Sequence, residues 1–482
     1  MANTPLSRRD FLGLVVGGAA SALLRRTTLG QDASGQRPPN FIIIFTDDQG
    51  YQDVGCFGSP DIKTPCMDRM AAEGKRFSDF YAAAPVCTPS RAALMTGCYP
   101  HRVGLPSVLS PRAGSGINPD EITLAELLKT RGYATLCVGK WHLGHLPPFL
   151  PTRHGFDHYF GIPYSNDMDG EKAHFPPIPL LRDETVIEQP ADQRTLTERY
   201  TEEAIKFIAA NKDRPFFLYL PHTFPHVPLH VSDRFASKSK RGLYGDVIEC
   251  IDWSTGRILD TLREHGLDEN TLVVFTSDNG PWLIKKEHGG SALPLRSGKA
   301  TTFEGGMREP CIMWGPGRIP AGTVCSEMAT TMDIYPTFAR LAGADVPTDR
   351  IIDGKDIWSL VTGQPGAKTP HEYFFYGFQS VRSGKWKLHK WEGADIPKGG
   401  KKSAKGEKPE PPRKGPTLYD LNADIGEKND VAAEHPDVVK CLLDALQKHE
   451  EDIQKNARPP GKLPPDSPYR PDDYGVYHIP AK

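Results

Sequence analysis

Residues 41–45 have the sequence FIIIF, and the two carboxylates of Asp47 and Asp48 follow this run. Five apolar residues in succession, bounded by polar ones, are typical of a strand that is buried on both faces of a sheet. Three further apolar runs, each also followed by polar residues, lie at 134–138, 216–220 and 272–275. Strands of this kind, alternating with helical stretches, predict an α/β fold with a mostly parallel sheet covered on both faces.

The segments between these runs carry the stop signals of helices, because Gly132, Gly266 and Gly343 follow periodic stretches. The predicted helices are 120–130, 196–211, 245–265 and 333–342. In open α/β sheets, ligands bind at the carboxyl ends of the strands. We therefore expect the polar residues that follow the four strands to form one site.

The overall charge of the chain argues against several classes of partner. Its 482 residues include 58 Lys and Arg against 60 Asp and Glu, so the formal net charge is −2. A near-neutral chain has no global attraction to nucleic acid or to an anionic membrane. The nine cysteines have no CxxC spacing, so they predict neither a zinc site nor a disulfide framework.

The first 30 residues predict an export signal. Arg8 and Arg9 precede an apolar run that ends near Leu24, and this run is shorter than the roughly 20 residues of a membrane span. Paired arginines before a short apolar core favour a twin-arginine signal, with an ordinary secretory signal as the alternative. We expect a mature chain that starts near Gln31, is periplasmic or extracellular and has no stable membrane span.

Two regions are expected beyond the signal, a catalytic domain at 38–365 and a smaller C-terminal α+β subdomain at 366–482. The elements predicted in the subdomain are strands at 373–376 and 385–389 and a helix at 438–450, followed by a tail at 459–482 without regular structure. The Lys/Gly/Pro-rich loop at 397–415 is interpreted as a solvated insertion, with contact to a polyanion as the alternative.

Two pairs of strand-end residues predict a metal site. Asp47 and Asp48 would place two carboxylates at one edge of the sheet, where their repulsion requires a cation or a raised pKa. Asp278 and Asn279 end another strand and add only oxygen ligands, which suit calcium or magnesium rather than zinc. The alternative is that both pairs are turn or cap residues.

Cys87 opens the pentapeptide CTPSR, which a helix-like stretch follows. A cysteine at a helix N-terminus near Arg91 would have a lowered pKa and could act as a thiolate nucleophile. The alternative is an ordinary small buried residue.

The whole pentapeptide resembles the modification signature of type I sulfatases, in particular the branch of arylsulfatase A and N-acetylgalactosamine-6-sulfatase. The resemblance extends from about residue 40 to residue 309. It is carried by FTDDQGY at 45–51, CTPSRAALMTG at 87–97, GKWHLG at 139–144, GIPYS at 161–165, TSDNG at 276–280 and GKATTFEGGMREP at 298–310.

This resemblance implies a fold and two cofactors. The implied fold is that of alkaline phosphatases, a large, mixed, mostly parallel sheet between helices plus a small C-terminal antiparallel sheet. Cys87 would be oxidised to formylglycine (3-oxoalanine) by a formylglycine-generating or sulfatase-maturing enzyme. Calcium would be held by Asp47, Asp48, Asp278 and Asn279, with the modified Cys87 as a further ligand.

The resemblance also implies roles for basic and polar side chains. Arg91 and Lys140 would steady the formylglycine. The residues expected to contact the sulfate or the leaving oxygen are His142, Ser165, His226 and Lys299. His389 would match a C-terminal substrate-binding histidine, whereas His222 matches no ligand of the family. For His142, His226 and Lys299, each taken alone, the alternative is a structural loop residue.

The implied reaction is hydrolysis of a sulfate monoester. One hydroxyl of the hydrated aldehyde attacks sulfur while Lys299 or His226 acts as acid toward the leaving group. His142 then removes the proton from the second hydroxyl, so that sulfate is eliminated and the aldehyde returns. Calcium and the basic residues supply positive charge. The expected substrates are sulfated sugars or aryl sulfates.

Two other functions remain open at this stage. Phosphate and sulfate share tetrahedral anionic geometry, so a phosphomonoester or phosphonate hydrolase on the same fold is the enzymatic alternative. A non-catalytic glycan-binding protein that is never modified at Cys87 is the third hypothesis.

Overall fold

The computed structural model of the chain describes residues 37–170, 175–391 and 415–469. The strands are β1 (Asn40–Thr46), β2 (Lys75–Tyr81), β3 (Ser115–Gly116), β4 (Ala134–Val138), β5 (His158–Gly161), β6 (Leu180–Arg182), β7 (Thr185–Glu188), β8 (Phe216–Pro221), β9 (Thr271–Ser277), β10 (Arg308–Trp314), β11 (Thr323–Cys325), β12 (Ala329–Thr330), β13 (Phe374–Tyr376), β14 (Ser380–Ser383), β15 (Trp386–His389), β16 (Thr417–Asp420) and β17 (Gly461–Lys462). The helices are α1 (Pro65–Glu73), α2 (Cys87–Thr96), α3 (Leu124–Lys129), α4 (Leu196–Ala210), α5 (Gly242–Glu264), α6 (Glu304–Met307), α7 (Ile334–Ala342), α8 (Trp358–Thr362) and α9 (Pro436–Asn456).

The predicted export signal at 1–30 lies outside the described residues, as do most of the loop at 397–415 and most of the tail. Among the helices that the structure describes, none combines the length and the apolar composition needed to cross a lipid bilayer.

Within the described ranges, eleven strands form one large mixed sheet. Its order is β11-β2-β10-β9-β1-β8-β4-β5-β6-β7, and β12 pairs with β2. The four strands predicted from apolar runs, β1, β4, β8 and β9, are neighbours at its centre and run parallel to one another. The antiparallel strands β10, β6 and β7 make the sheet mixed. The predicted fold class is confirmed.

Successive side chains of β1 enter two different cores, because side chains alternate across a strand. Phe41, Ile43 and Phe45 belong to one apolar cluster, which includes residues of α2, α3 and α7. Ile42 and Ile44 belong to a second cluster on the opposite face, with residues of α1, α4 and α5. The FIIIF run is therefore apolar at every position because helices cover both faces of the sheet.

The C-terminal region contains the small antiparallel sheet, with the order β13-β14-β15-β16. Apolar residues of α9 pack on one of its faces, where they form a cluster of Val381, Leu388, Leu418, Leu442 and Leu446. The predicted helix at 438–450 is present and is longer, because α9 starts at Pro436 and ends at Asn456.

The prediction that the tail has no regular structure is wrong at one place. Gly461 and Lys462 pair antiparallel with Gly116 and Ser115. A Cβ on Gly461 would lie 2.6 Å from the carbonyl oxygen of Ile117, so the close approach of the two backbones depends on glycine.

A buried carboxylate joins the small sheet to the large one. Glu304 lies on α6, directly before β10, and its oxygens contact Lys387 Nζ at 2.8 Å and Tyr376 Oη at 2.8 Å from the small sheet. Tyr81 Oη of the large sheet donates to it at 2.6 Å. Although burial favours the neutral acid, Lys387 and Arg308 hold the pKa of Glu304 below its usual range.

We predict that Glu304→Ala destabilises the protein by about 3 kcal/mol, because it removes one of the two buried carboxylates that Lys387 contacts in the described chain and leaves only Glu427 at 3.0 Å. Thermal and urea denaturation should detect this loss. The matched control is Asp444→Ala, which removes an exposed carboxylate 2.6 Å from Lys440 and should change the melting temperature little. Equal effects of the two substitutions would contradict the structural role given to Glu304.

Candidate active site

The polar residues that follow the central strands meet at one edge of the sheet. Parallel pairing aligns Thr46 with Ser277, so Asp47 and Asp278 leave neighbouring strands at the same level. Lys140 and His142 follow β4, and His226 follows β8. The expectation that the four strand ends form one site is met by the contacts described below.

Arg91 lies at the centre of this group and is completely buried. Its Nη2 donates to Asp47 Oδ2 and to Asp278 Oδ2, both at 2.7 Å, and its Nε lies 3.1 Å from the same oxygen of Asp278. Its Nη1 donates to the carbonyl oxygen of Lys140 at 2.9 Å. One guanidinium of α2 is thus bound to the ends of β1, β4 and β9.

Lys140 supplies a second buried cation. Its Nζ lies 2.5 Å from Asp47 Oδ2 and donates to Ser165 Oγ at 3.0 Å. Although burial alone would raise the pKa of Asp47, Lys140 and Arg91 hold it far below its usual range. Asp47 is therefore ionised.

The negative charge of Asp48 is compensated less completely than that of Asp47. Lys299 Nζ contacts its Oδ1 at 2.6 Å, and Asn279 Nδ2 donates to the same atom at 2.8 Å. Burial and the neighbouring carboxylates of Asp47 and Asp278 nevertheless raise the pKa of Asp48 to about 7. Burial is the largest cause of this shift, because the three aspartates of the site are matched in number by three basic residues.

The donor atoms of the site suit a hard cation. Within the described part of the chain, the buried Asp48 Oδ2 and Asn279 Oδ1 have no hydrogen-bond partner. Carboxylate oxygens of Asp47 and Asp48 also lie within 4.8 Å of Cys87 Sγ and of a ring nitrogen of His226. Convergent oxygens without partners are what calcium or magnesium requires, so the residues present fit the implied ion.

Cys87 lies at the start of α2 and borders this group. Its Sγ is 3.5 Å from Asp47 Oδ1 and 3.7 Å from Lys299 Nζ. Burial, with the charge of Asp47, raises the pKa of the thiol far above its ordinary value. The prediction that Arg91 lowers the pKa of the Cys87 thiol is wrong. Arg91 is already paired with two carboxylates and does not compensate the charge of a thiolate.

The hydrogen bonds of the two site histidines assign their tautomers. His142 Nε2 lies 2.9 Å from the carbonyl oxygen of Leu109, and a carbonyl only accepts, so the proton is on Nε2 and Nδ1 carries the lone pair. His226 Nδ1 faces two acceptors, Asn166 Oδ1 at 3.1 Å and Val227 O at 2.6 Å. The lone pair of His226 is therefore on Nε2, which lies 3.6 Å from Asp48 Oδ2. Burial lowers the pKa of both rings.

His389 forms its hydrogen bonds with residues of the C-terminal region. Its Nδ1 bonds with Ser380 Oγ at 2.7 Å and its Nε2 with Glu427 Oε1 at 2.8 Å. Both ring nitrogens are engaged and the residue is buried, so the geometry gives no support to a substrate contact by His389. His222 is also buried, and its Nε2 lies 3.5 Å from Ser254 Oγ.

The sequence analysis missed Trp282, which borders the site. Its ring centroid is 5.5 Å from that of His226, and Lys299 Nζ lies 4.6 Å from the centroid of the indole. Its position in the sequence, three residues after Asn279 and shortly beyond the end of β9, could have identified it as a site residue.

Comparison with known proteins agrees with this geometry. Residues 39–344 match the family model Sulfatase, and residues 369–463 match the C-terminal region of aryl-sulfatase. The chain belongs to the sulfatase family. The prediction that it is a sulfatase, a sulfuric ester hydrolase by class, is confirmed.

Three similar proteins illustrate the relationship. The sulfatase chain is 40% identical to N-acetylgalactosamine-6-sulfatase of Canis lupus familiaris, with 89% of this chain and 90% of the relative aligned. It is also 40% identical to arylsulfatase A of Homo sapiens, with coverages of 88% and 90%. The crystal structure of Ps i-CgsB in complex with k-i-k-neocarrahexaose has a TM-score of 0.73 and 31% identity, and covers 88% of this chain and 95% of that protein.

We predict that Cys87 in protein produced without a maturing enzyme resists alkylation by iodoacetamide at pH 8, because it is 2% exposed and its pKa is raised. Cys441, which is exposed, is the internal control and should react. Mass spectrometry of both peptides over time measures the two rates. Alkylation of Cys87 as fast as that of Cys441 would restore the thiolate interpretation.

Proposed function

We propose that this sulfatase hydrolyses sulfate monoesters of sulfated sugars, with a formylglycine formed from Cys87 and a calcium ion. The observation that carries the proposal is the position of Cys87 Sγ between a carboxylate, Asp47, and an ammonium group, Lys299, at distances of 3.5 and 3.7 Å. The name of one relative, N-acetylgalactosamine-6-sulfatase, and the oligosaccharide bound in a similar structure support a sugar substrate.

The residues proposed to hold calcium are Asp47, Asp48, Asp278 and Asn279, with the modified Cys87 beside them. When bound, the ion would supply positive charge next to the anionic ester. The unpartnered Asp48 Oδ2 and Asn279 Oδ1 are the oxygens that most need it. Arg91 and Lys140 contribute fixed positive charge to the same site, since their carboxylate partners hold both in place.

The formylglycine, once formed, would supply a hydrated aldehyde whose hydroxyl attacks sulfur. Arg91 and Lys140 hold Asp47 beside residue 87, and Ser165 Oγ accepts from Lys140 Nζ, so Ser165 orients that ammonium group. These contacts fix the surroundings of residue 87 before a substrate arrives, which lowers the reorganisation needed for reaction.

Lys299 is the better candidate for the acid that protonates the leaving oxygen. Although burial opposes its charge, Asp48 raises the pKa of Lys299, so it carries a proton. The lowered pKa of His226 keeps that ring neutral, with a lone pair on Nε2. His142 Nδ1 has a lone pair and no hydrogen-bond partner among the described residues, and we assign it the role of base.

We also propose that the chain is exported through its first 30 residues and matured by a formylglycine-generating enzyme. The domain limits at 38–365 and 366–482 stay predictions. The separate family matches at 39–344 and 369–463 support a boundary between residues 344 and 369.

The decisive experiment compares hydrolysis of 4-nitrophenyl sulfate and 4-nitrophenyl phosphate by protein co-expressed with a formylglycine-generating enzyme. We expect the sulfate ester to be the better substrate, and Cys87→Ala to lower its hydrolysis at least about 10³-fold. Mass spectrometry of the Cys87 peptide should show conversion of the thiol to an aldehyde. Preferential hydrolysis of the phosphate would support the phosphohydrolase alternative, and an unmodified, inactive protein would support the glycan-binding one.

We predict that calcium stabilises the protein more at pH 8 than at pH 5. The pKa of Asp48 is about 7 in the fold and about 3.8 ordinarily, so the folded state retains a proton that the unfolded state loses between these values. The stability of the metal-free protein therefore falls as the pH rises through about 7. Calcium replaces that proton, and the rise in melting temperature on adding it after chelation should be larger at pH 8.

Asp48→Asn is the control for this effect, because an amide does not titrate. The metal-free variant should lose less stability between pH 5 and pH 8 than the parent protein. Asp47, whose pKa is lowered, titrates below this range and does not obscure it. An equal calcium effect at both pH values would contradict the role given to Asp48.

A further inference from the structure

Lys299 is the most exposed cation of the active site. The side chains of Arg91, Lys140 and Asp47 have no solvent exposure, whereas that of Lys299 is 8% exposed. Trp282 lies against Lys299 and against the ring of His226. Trp282 therefore lies beside the most exposed cation of the site.

Residues 282–288, which we name the basic rim, carry unpaired positive charge. Lys285 Nζ lies 4.2 Å from the centroid of the Trp282 ring, the ring that Lys299 also contacts. Lys285 and Lys286 are exposed, and neither forms an ion pair with a described residue. Glu287 is the acidic member of the rim and also has no ion-pair partner in the described ranges, so the two lysines leave the rim with a net positive charge.

The basic rim also presents apolar surface beside its charge. Leu283 is 44% exposed and Ile284 is 75% exposed, which is unusual for large aliphatic side chains next to a catalytic site. Sugars combine apolar C–H faces with polar or anionic substituents. A surface with an indole, exposed aliphatic groups and ammonium groups complements both parts of a sulfated sugar.

Backbone contacts hold the basic rim in place. Arg241 donates from Nη1 to the carbonyl oxygen of Glu287 at 3.0 Å and from Nη2 to that of Gly289 at 2.9 Å. At the other end, the amide of Lys299 donates to the carbonyl oxygen of Pro281 at 2.9 Å. A rim anchored at both ends loses little conformational entropy when a ligand binds.

We propose that the basic rim is a substrate subsite for a second anionic group of a sulfated carbohydrate. Lys285 binds that group, and Trp282 is the surface on which the intervening sugar packs. Lys285 and Lys299 contact the same indole, so their ammonium groups are close enough to bind sulfates on neighbouring sugars. The inference rests on the proposed function and narrows its substrate class to carbohydrates with two or more sulfates.

The test measures binding without turnover. Full-length Cys87→Ala protein is titrated by calorimetry with a galactose disaccharide that carries one sulfate on each sugar, and with the same disaccharide carrying one sulfate. We expect tighter binding of the disulfated ligand. Lys285→Gln should lower the ratio of the two affinities about tenfold, as the loss of one charged hydrogen bond does, and added NaCl should lower the ratio in the parent protein.

Lys206→Gln is the matched control. Lys206 is an exposed lysine near the end of α4, which leads into the amino end of β8, so it lies at the opposite edge of the sheet and should leave the ratio unchanged. Trp282→Leu should weaken the binding of both ligands. An unchanged ratio in Lys285→Gln and in the double variant Lys285→Gln/Lys286→Gln would overturn the subsite.

Failure of this proposal is distinguishable from failure of the proposed function. Binding is measured on an unreactive protein, so absence of hydrolysis by the mature enzyme does not affect the affinity ratio. A normal rate on 4-nitrophenyl sulfate together with an unchanged ratio refutes the subsite alone. A lowered ratio together with a mature protein that hydrolyses no sulfate ester refutes the catalytic function and keeps the subsite.

Discussion

The guanidinium of Arg91 is buried completely and contacts carboxylates from two strands. An unpaired charge in the interior costs several kcal/mol, so Asp47 and Asp278 must remain beside it. Because β1 and β9 are in register up to Thr46 and Ser277, both carboxylates emerge at one level and a single guanidinium reaches both. This contact also fixes α2, and with it Cys87, which lies one helical turn before Arg91.

The two-sided core explains why the charged residues of the central strands converge where these strands end. Each central strand is apolar along its length because helices cover both faces of the sheet, so charged residues occur only where a strand ends. At the end of β4 the backbone approaches β8 closely, since a Cβ on Gly139, which has a φ of 131°, would lie 1.9 Å from Pro221 O. Glycine at this position brings Lys140 close enough to contact Asp47.

Local patterns predicted the central strands and the residues at their ends, but not features that depend on distant partners. The run at 134–138 corresponds to β4 without adjustment, because a fully buried strand has a continuous apolar sequence. The antiparallel strand β2 has the sequence KRFSDFY, and its buried Asp79 is compensated by Arg308 and Arg382, far along the chain. The partner of His389, Glu427, is similarly remote, so no local signal showed that this histidine is structural.

The solvent exposure of the side chains increases from Arg91 to Lys299. The fully buried groups and the more exposed ones therefore have different physical tasks. Arg91, Lys140 and Asp47 are fully desolvated and held in ion pairs, so they supply a fixed electric field and exchange no protons. Lys299 is the most exposed cation of the group, which fits the role of acid proposed for it. Asp48 contacts Lys299 and also has a buried oxygen without a hydrogen-bond partner among the described residues. Its charge raises the pKa of the Lys299 ammonium group, so the protonation of Asp48 and that of Lys299 depend on each other.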